Sequence, residues 1–158
     1  MARNLGIKEA KQRAGRFCAI RERSPNELFE KLQNWGLSGE EASRLVTELS
    51  KEGFVDEQRF ANAFCNDKFE FNSWGKLKIK AHVYVHKLSS EAVQNALDRI
   101  NSEKYEQRLF ELAKVKWDRL EKEDPLKRKQ KAVSYLANKG FEQDLIWSAI
   151  NRLENKGQ

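Results

Sequence analysis

The sequence predicts an all-α protein made of three tandem three-helix repeats stacked into an elongated, gently curved row. Two recurring sets of apolar positions and one absence predict it. Ala42, Leu45, Val46 and Leu49 stand at i, i+3, i+4 and i+7, the stripe of an amphipathic helix. Val93, Ala96, Leu97 and Ile100 repeat it, and Ile146, Ala149, Ile150 and Leu153 repeat it again, at steps of 51 and 53 residues. A second anchor runs upstream in the same register: Leu32 before Gly36-Leu37, Val83 before Lys87-Leu88, and Leu136 before Gly140-Phe141. The absence is of strand signals. Prolines occur only at Pro25 and Pro125, and no period-two alternation persists. Val83-Tyr84-Val85 is read as helical because Leu77, Ala81, Tyr84 and Leu88 share a helix face.

The repeats span 1–52, 53–102 and 103–158, and each has room for three helices. In the first repeat they fall near 8–21, 25–35 and 39–50. Ser24-Pro25-Asn26-Glu27 offers an N-cap, a proline at the first helical position and a capping-box glutamate, and Ser38 is matched by Glu41. In the second they fall near 57–71, 76–86 and 90–101, starting from an Asp56 N-cap. In the third they fall near 103–122, 125–138 and 142–154, with Asp124-Pro125 as a start signal. Gly36 and Gly140 stand where a helix ends in a left-handed residue; Lys87, at the corresponding place, departs from that rule. A unit of this size buries little alone, so neighbouring units must cover one another, which leads to a row that suits a groove rather than a pocket. The register predicts Leu97 and Ile150 to be buried.

Composition bounds the function. Thirty Lys and Arg against twenty-four Asp and Glu leave a net charge of +6 and a pI near 9.3, which favours an anionic partner such as nucleic acid or an acidic protein groove. Cys18 and Cys65 each lie in helical apolar spacing, where a free cysteine behaves as a small buried hydrophobe, so no disulfide framework is expected. Residues 1–23 carry Arg3, Lys8, Lys11, Arg13, Arg16, Arg21 and Arg23 with no uninterrupted apolar run after them, so no secretory signal is expected. No stretch approaches the roughly 18 apolar residues that span a bilayer. A cytoplasmic protein with no membrane association is the expectation.

Between the first two repeats runs Gly53-Phe54-Val55-Asp56-Glu57-Gln58-Arg59-Phe60-Ala61-Asn62-Ala63-Phe64. Physically it is a helix stop, an Asp N-cap and a new helix with Phe60 and Phe64 one turn apart. The string resembles the signature of the RecX family, in which a glycine, an apolar pair, an acidic pair and a Phe-Ala dipeptide followed by an aromatic occupy this place. Ser24, Glu27, Leu28, Lys31 and Leu32 resemble the family's opening helix. Lys139-Gly140-Phe141 followed by Ile146, Ala149, Ile150 and Leu153 resembles its closing unit, so the likeness covers about residues 17–154. Trp74-Gly75-Lys76-Leu77-Lys78-Ile79 and His86-Lys87-Leu88 depart from the family pattern, keeping a glycine and the basic character without the usual proline and second glycine. The resemblance implies a non-enzymatic regulator that docks in the groove of RecA filaments on DNA. It would restrain ATP hydrolysis, strand exchange and filament growth in repair, recombination and the SOS response, often promoting disassembly. A monomer is expected. A directly nucleic-acid-binding helical repeat protein is the alternative, and a helical scaffold without a filament partner is a third.

The residues offered for filament or DNA contact form two groups. Lys76, Lys80 and Lys87 follow helical spacing, with Lys78 alongside, opposite an apolar stripe of Leu77, Ala81, Tyr84 and Leu88. Lys127, Arg128 and Lys131 cluster at a helix start, where positive charge opposes the macrodipole at about 0.3–1 kcal/mol. In both groups a solvated surface is the competing reading. Trp35, Trp74, Trp117 and Trp147 are read as core packing, Trp74 excepted because it lies beside Gly75 and the lysines at a loop-to-helix junction. His82 and His86 are one turn apart, but no third ligand accompanies them, so no metal is expected. With no phosphate-binding glycine loop and no nucleophile elbow, no catalytic residue, cofactor or enzymatic activity is expected.

Overall fold

The computed structural model describes residues 5–156, so Arg3 lies outside the described residues. Its regular elements there are all helical. They are α1 (Ile7–Ile20), α2 (Pro25–Asn34), α3 (Gly39–Lys51), α4 (Glu57–Asn72), α5 (Lys76–Val83), α6 (Ser90–Asp98), α7 (Ser102–Arg119), α8 (Pro125–Asn138) and α9 (Gln143–Lys156), with a 3-10 turn at Tyr84–His86. The order is that of three tandem three-helix repeats.

The helix starts follow from local chemistry. The Glu27 N–H donates to Ser24 Oγ at 3.0 Å, and the Ser24 N–H donates to the Glu27 carboxylate. Ser38 and Glu41 repeat this exchange at 3.1 and 3.0 Å, while Asn101 and Asp124 accept from Lys104 and Lys127. Each bond satisfies an N–H that the first helical turn leaves without a partner. Gly36, Gly53 and Gly140 all have positive φ. Lys87 adopts the same left-handed region at φ 54, despite its Cβ.

The long-range contacts gather into two units, one built from residues up to Phe64 with Val83–Ala96, the other from Cys65–His82 with Leu97 onward. In the first, α2 lies against α1 and α3. Ala10, Ala14, Leu28, Leu32, Ala42, Leu45 and Leu49 form its core, closed by Leu37 and Val55. In the second, α7 packs on α8 and α9, and Leu109, Ala113, Trp117, Leu136, Ile146 and Ile150 are buried. The Phe69, Tyr105 and Phe141 rings follow one another at 5.6 and 5.3 Å. Leu97 and Ile150 are 4% and 0% exposed, as the register requires. Cys18 and Cys65 are both free, and burial pushes the Cys65 thiol up to about 11.

Three sequence expectations need correction. The stretch expected as one helix over 76–86 is α5 followed by the 3-10 turn. Its apolar stripe is not Leu77, Ala81, Tyr84 and Leu88, because Leu77 is 55% and Tyr84 75% exposed, Ala81 is exposed and Leu88 only half-buried. The buried row is Gly75, Ile79 and Val83, at spacings of four. Its rotation is set by a backbone contact, since the Leu77 N–H donates to the Gly140 carbonyl at 3.0 Å and turns the Gly75 side of the helix inward. Trp147, expected in the core, is 41% exposed on α9 because Ile146 and Ile150 occupy the inward positions.

Candidate nucleic-acid interface

The site begins with two glycines. The Gly75 N–H donates to the Lys139 carbonyl at 2.7 Å, so the α4–α5 junction lies backbone to backbone on the α8–α9 junction. A Cβ at Gly75 would fall 2.3 Å from the Gly140 carbonyl carbon, and one at Gly140 would fall 2.3 Å from Lys78 Cβ. Only hydrogen at both positions permits this approach. Tyr105 holds the junction from beneath: its hydroxyl accepts the Lys76 N–H at 2.9 Å and donates to the Glu142 carboxylate. Burial, and then that bond to Glu142, push the phenol well above its ordinary range, so it remains a donor.

This docking brings lysines from three helices or helix ends together. Trp74 carries the Lys78 ammonium at 4.7 Å and the Lys68 ammonium at 5.0 Å from its ring centroid, and the His82 ring lies at 4.6 Å. Each cation is attracted by the negative π face of the indole. Lys139 Nζ donates to the Asn72 carbonyl at 3.1 Å. Burial, reinforced by the positive charge of Lys78, lowers the Lys139 pKa. Among the described residues neither Lys78 nor Lys139 has a carboxylate partner, whereas Lys129 pairs with Glu154 and Lys131 with Glu123. An anionic oxygen arriving here would relieve the repulsion, and a phosphate is the group that would do so in nucleic acid.

The other residues offered by the sequence separate. Lys76 places its ammonium 5.1 Å above the Tyr105 ring, and Lys80 is exposed one turn further along α5. Lys87 is exposed at its left-handed helix end. Arg128 is engaged internally, its guanidinium 3.9 Å over the Trp117 ring and donating to the Trp117 carbonyl at 3.1 and 2.8 Å. There a cation meets the carbonyl end of α7, which offsets its unfavourable place at the start of α8. Lys131 bonds Glu123 at 2.6 Å, and Lys127, exposed, adds to the positive charge that lowers the Glu123 pKa. His86 lies over Phe60 and Phe64 at 4.8 and 5.3 Å, with its Nδ1 3.6 Å from Glu27.

Sequence reasoning missed Lys68 and Lys139. A lysine followed by a glycine at a helix junction is the signal that could have found Lys139, whereas Lys68, inside α4, leaves no such trace.

Profiles of one family match two segments: residues 56–97 match "RecX, second three-helix domain" and residues 103–150 match "RecX, third three-helix domain". The chain is 26% identical over 147 residues to the regulatory protein RecX of Clostridioides difficile strain 630, covering 93% of this chain and 69% of that protein. It is 30% identical over 135 residues to the regulatory protein RecX of Stenotrophomonas maltophilia strain R551-3, covering 85% of this chain and 81% of that one. The crystal structure of RecX from Lactobacillus salivarius shares the fold, with a TM-score of 0.88 at 18% identity over 94% of this chain and 96% of that one.

Proposed function

The chain belongs to the RecX family, and on that premise we propose that it regulates a RecA-type recombinase filament without catalysing a reaction, docking on the DNA-laden filament through its basic surface. The observation that carries the reading is the set of lysines that the Gly75–Gly140 approach gathers around Trp74. A lysine surface is ordinarily interspersed with acids, and several other lysines of this chain are paired: Lys11 is held between Glu48 and Glu52, and Lys114, Lys129 and Lys131 each meet a carboxylate. Lys78 and Lys139 instead repel one another in a partly desolvated place, an arrangement that favours an incoming anion. Trp74, Lys76, Lys78, Lys80 and Lys139 are the proposed contacts at this site, with Lys87 and Lys127 as further cations. Inhibition of ATP hydrolysis, strand exchange and filament growth is the proposed outcome.

A second reading, direct binding to nucleic acid, draws on the same lysines and on the indole beside them. The two differ in one requirement. A filament regulator binds when recombinase is present, whereas a direct binder holds bare DNA at physiological salt.

The experiment is a binding titration against RecA filaments, bare DNA and DNA-free recombinase over a range of salt, for the parent chain and for Lys78→Ala/Lys80→Ala/Lys139→Ala. The variant is expected to bind filaments more weakly while keeping its helical circular dichroism. Where DNA phosphates are contacted, the slope of log affinity against log salt should fall by about one per contact removed. Equal affinity at every salt concentration would overturn the assignment of this surface.

A further inference from the structure

The first unit carries a groove of about 640 Å³ along the outer face of α1, walled on its other side by the end of α3 and by Phe54. Its floor is apolar. Gly15 and Ala19 lie at spacing four on α1, Leu49 closes the back, and the Phe54 ring stands 43% exposed at the edge. The two rims differ in charge. Lys11 is neutralised by Glu48 at 2.7 Å and Glu52 at 2.9 Å. Lys8 and Arg16 stand two turns apart on the outer ridge of α1, and neither has a hydrogen bond, ion pair or ring partner among the described residues. The groove therefore offers an apolar channel with free positive charge along one side only.

We propose that this groove receives an amphipathic helix of a partner protein, with apolar side chains seated on the floor and carboxylates along one edge facing Lys8 and Arg16. The row Lys11, Gly15, Ala19 beside the ridge Lys8, Gln12, Arg16 is the i±4 pattern into which a second helix interdigitates, and the small residues allow close approach. From Lys8 to Ala19 the face is about 16 Å long, which accommodates about three turns of helix. Charge complementarity selects an acidic partner over a basic one. It also disfavours nucleic acid, whose phosphates would meet Lys8 and Arg16 but also Glu52 across the channel, leaving the apolar floor beside Phe54 unfilled. This site shares no residue with the lysines around Trp74 and does not depend on the filament reading.

The test uses the full chain and a fluorescein-labelled synthetic peptide of about three helical turns, with leucines at spacings of three and four and glutamates along one edge. A matched peptide carries lysines in place of the glutamates. Saturable binding of the acidic peptide is expected, with the lysine peptide and the variants Lys8→Glu/Arg16→Glu and Ala19→Asp each weaker by roughly tenfold or more. Lys8 and Arg16 are exposed charged residues, and Ala19 on the groove floor is itself solvent-exposed, so circular dichroism should be unchanged. Absent binding, or equal binding of the two peptides, would overturn the proposal. Displacement of the peptide by an oligonucleotide that the Lys8→Glu/Arg16→Glu variant no longer binds would overturn it in favour of nucleic acid. Self-association abolished by the same variant would overturn it in favour of a second copy of this chain.

Discussion

Lys87 and Gly140 end corresponding helices of the second and third repeats, and both lie in the left-handed region, at φ 54 and 96. Their surroundings differ. Lys87 is exposed, and its N–H turns back only to the Tyr84 carbonyl at 3.0 Å. Gly140 is buried against Lys78 and Gly75, with its carbonyl accepting from the Leu77 N–H. At Lys87 the only obstacle to a side chain is the conformational penalty of a Cβ at positive φ, which a single residue can bear. At Gly140 a side chain would also displace another segment's backbone. The same local conformation is thus optional chemistry in one repeat and a tertiary requirement in the other, and the second case is the one that assembles the lysine site.

Gly140→Ala tests this hardest. It combines the positive-φ penalty with overpacking against Lys78, whose Cβ and backbone N would lie 2.3 and 2.6 Å from the new Cβ, which places it in the upper part of a range of about 2–5 kcal/mol. A drop of that size in the denaturant-derived unfolding free energy is expected. If Gly140→Ala melted with the parent, the backbone contact would not be the element that organises the junction.

The aligned stripes of α6 and α9 provide the next comparison. Leu97→Ala and Ile150→Ala should each destabilise by roughly 2–5 kcal/mol. Ile150 should lie at the higher end because it is fully enclosed. Unchanged melting of both variants would refute the shared register.

The smallest effect is expected at Lys87→Gly, and its sign is opposite. Removing the Cβ relieves the left-handed penalty, and the added flexibility of the unfolded chain takes part of that back, leaving a gain of about 0.5 kcal/mol. A thermal melt would show a slight rise; a fall of a kilocalorie or more would mean that the Lys87 side chain has a stabilising role that its exposure does not suggest.

The sequence by itself determined the helices and their order. Capping pairs at Ser24/Glu27 and Ser38/Glu41, prolines at 25 and 125 and the glycine stops act within a few residues, so they are readable from neighbours alone. The repeated stripe was likewise legible because one helix face must be apolar wherever it is buried. Its boundaries erred where the local signals are weak: the ends of α6 and α7 come three residues early, and α5 gives way to a 3-10 turn. The rotation of α5 was hidden, because Leu77 and Val85 are as apolar as Ile79 and Val83 and Tyr84 adds a large aromatic ring to the competing face. Only the approach of Gly75 to Gly140, 65 positions away along the chain, decides which row faces inward. The lysine site depended on the same contact. Lys76, Lys78 and Lys80 could be found by composition on one helix, but Lys68 and Lys139 join Trp74 and Lys78 through tertiary packing. Likewise Arg128 looks like a free cation in the sequence, and only the fold places it on Trp117. Short-range bonds leave a periodic trace in the chain, whereas a contact between two distant helix junctions leaves only two unremarkable glycines.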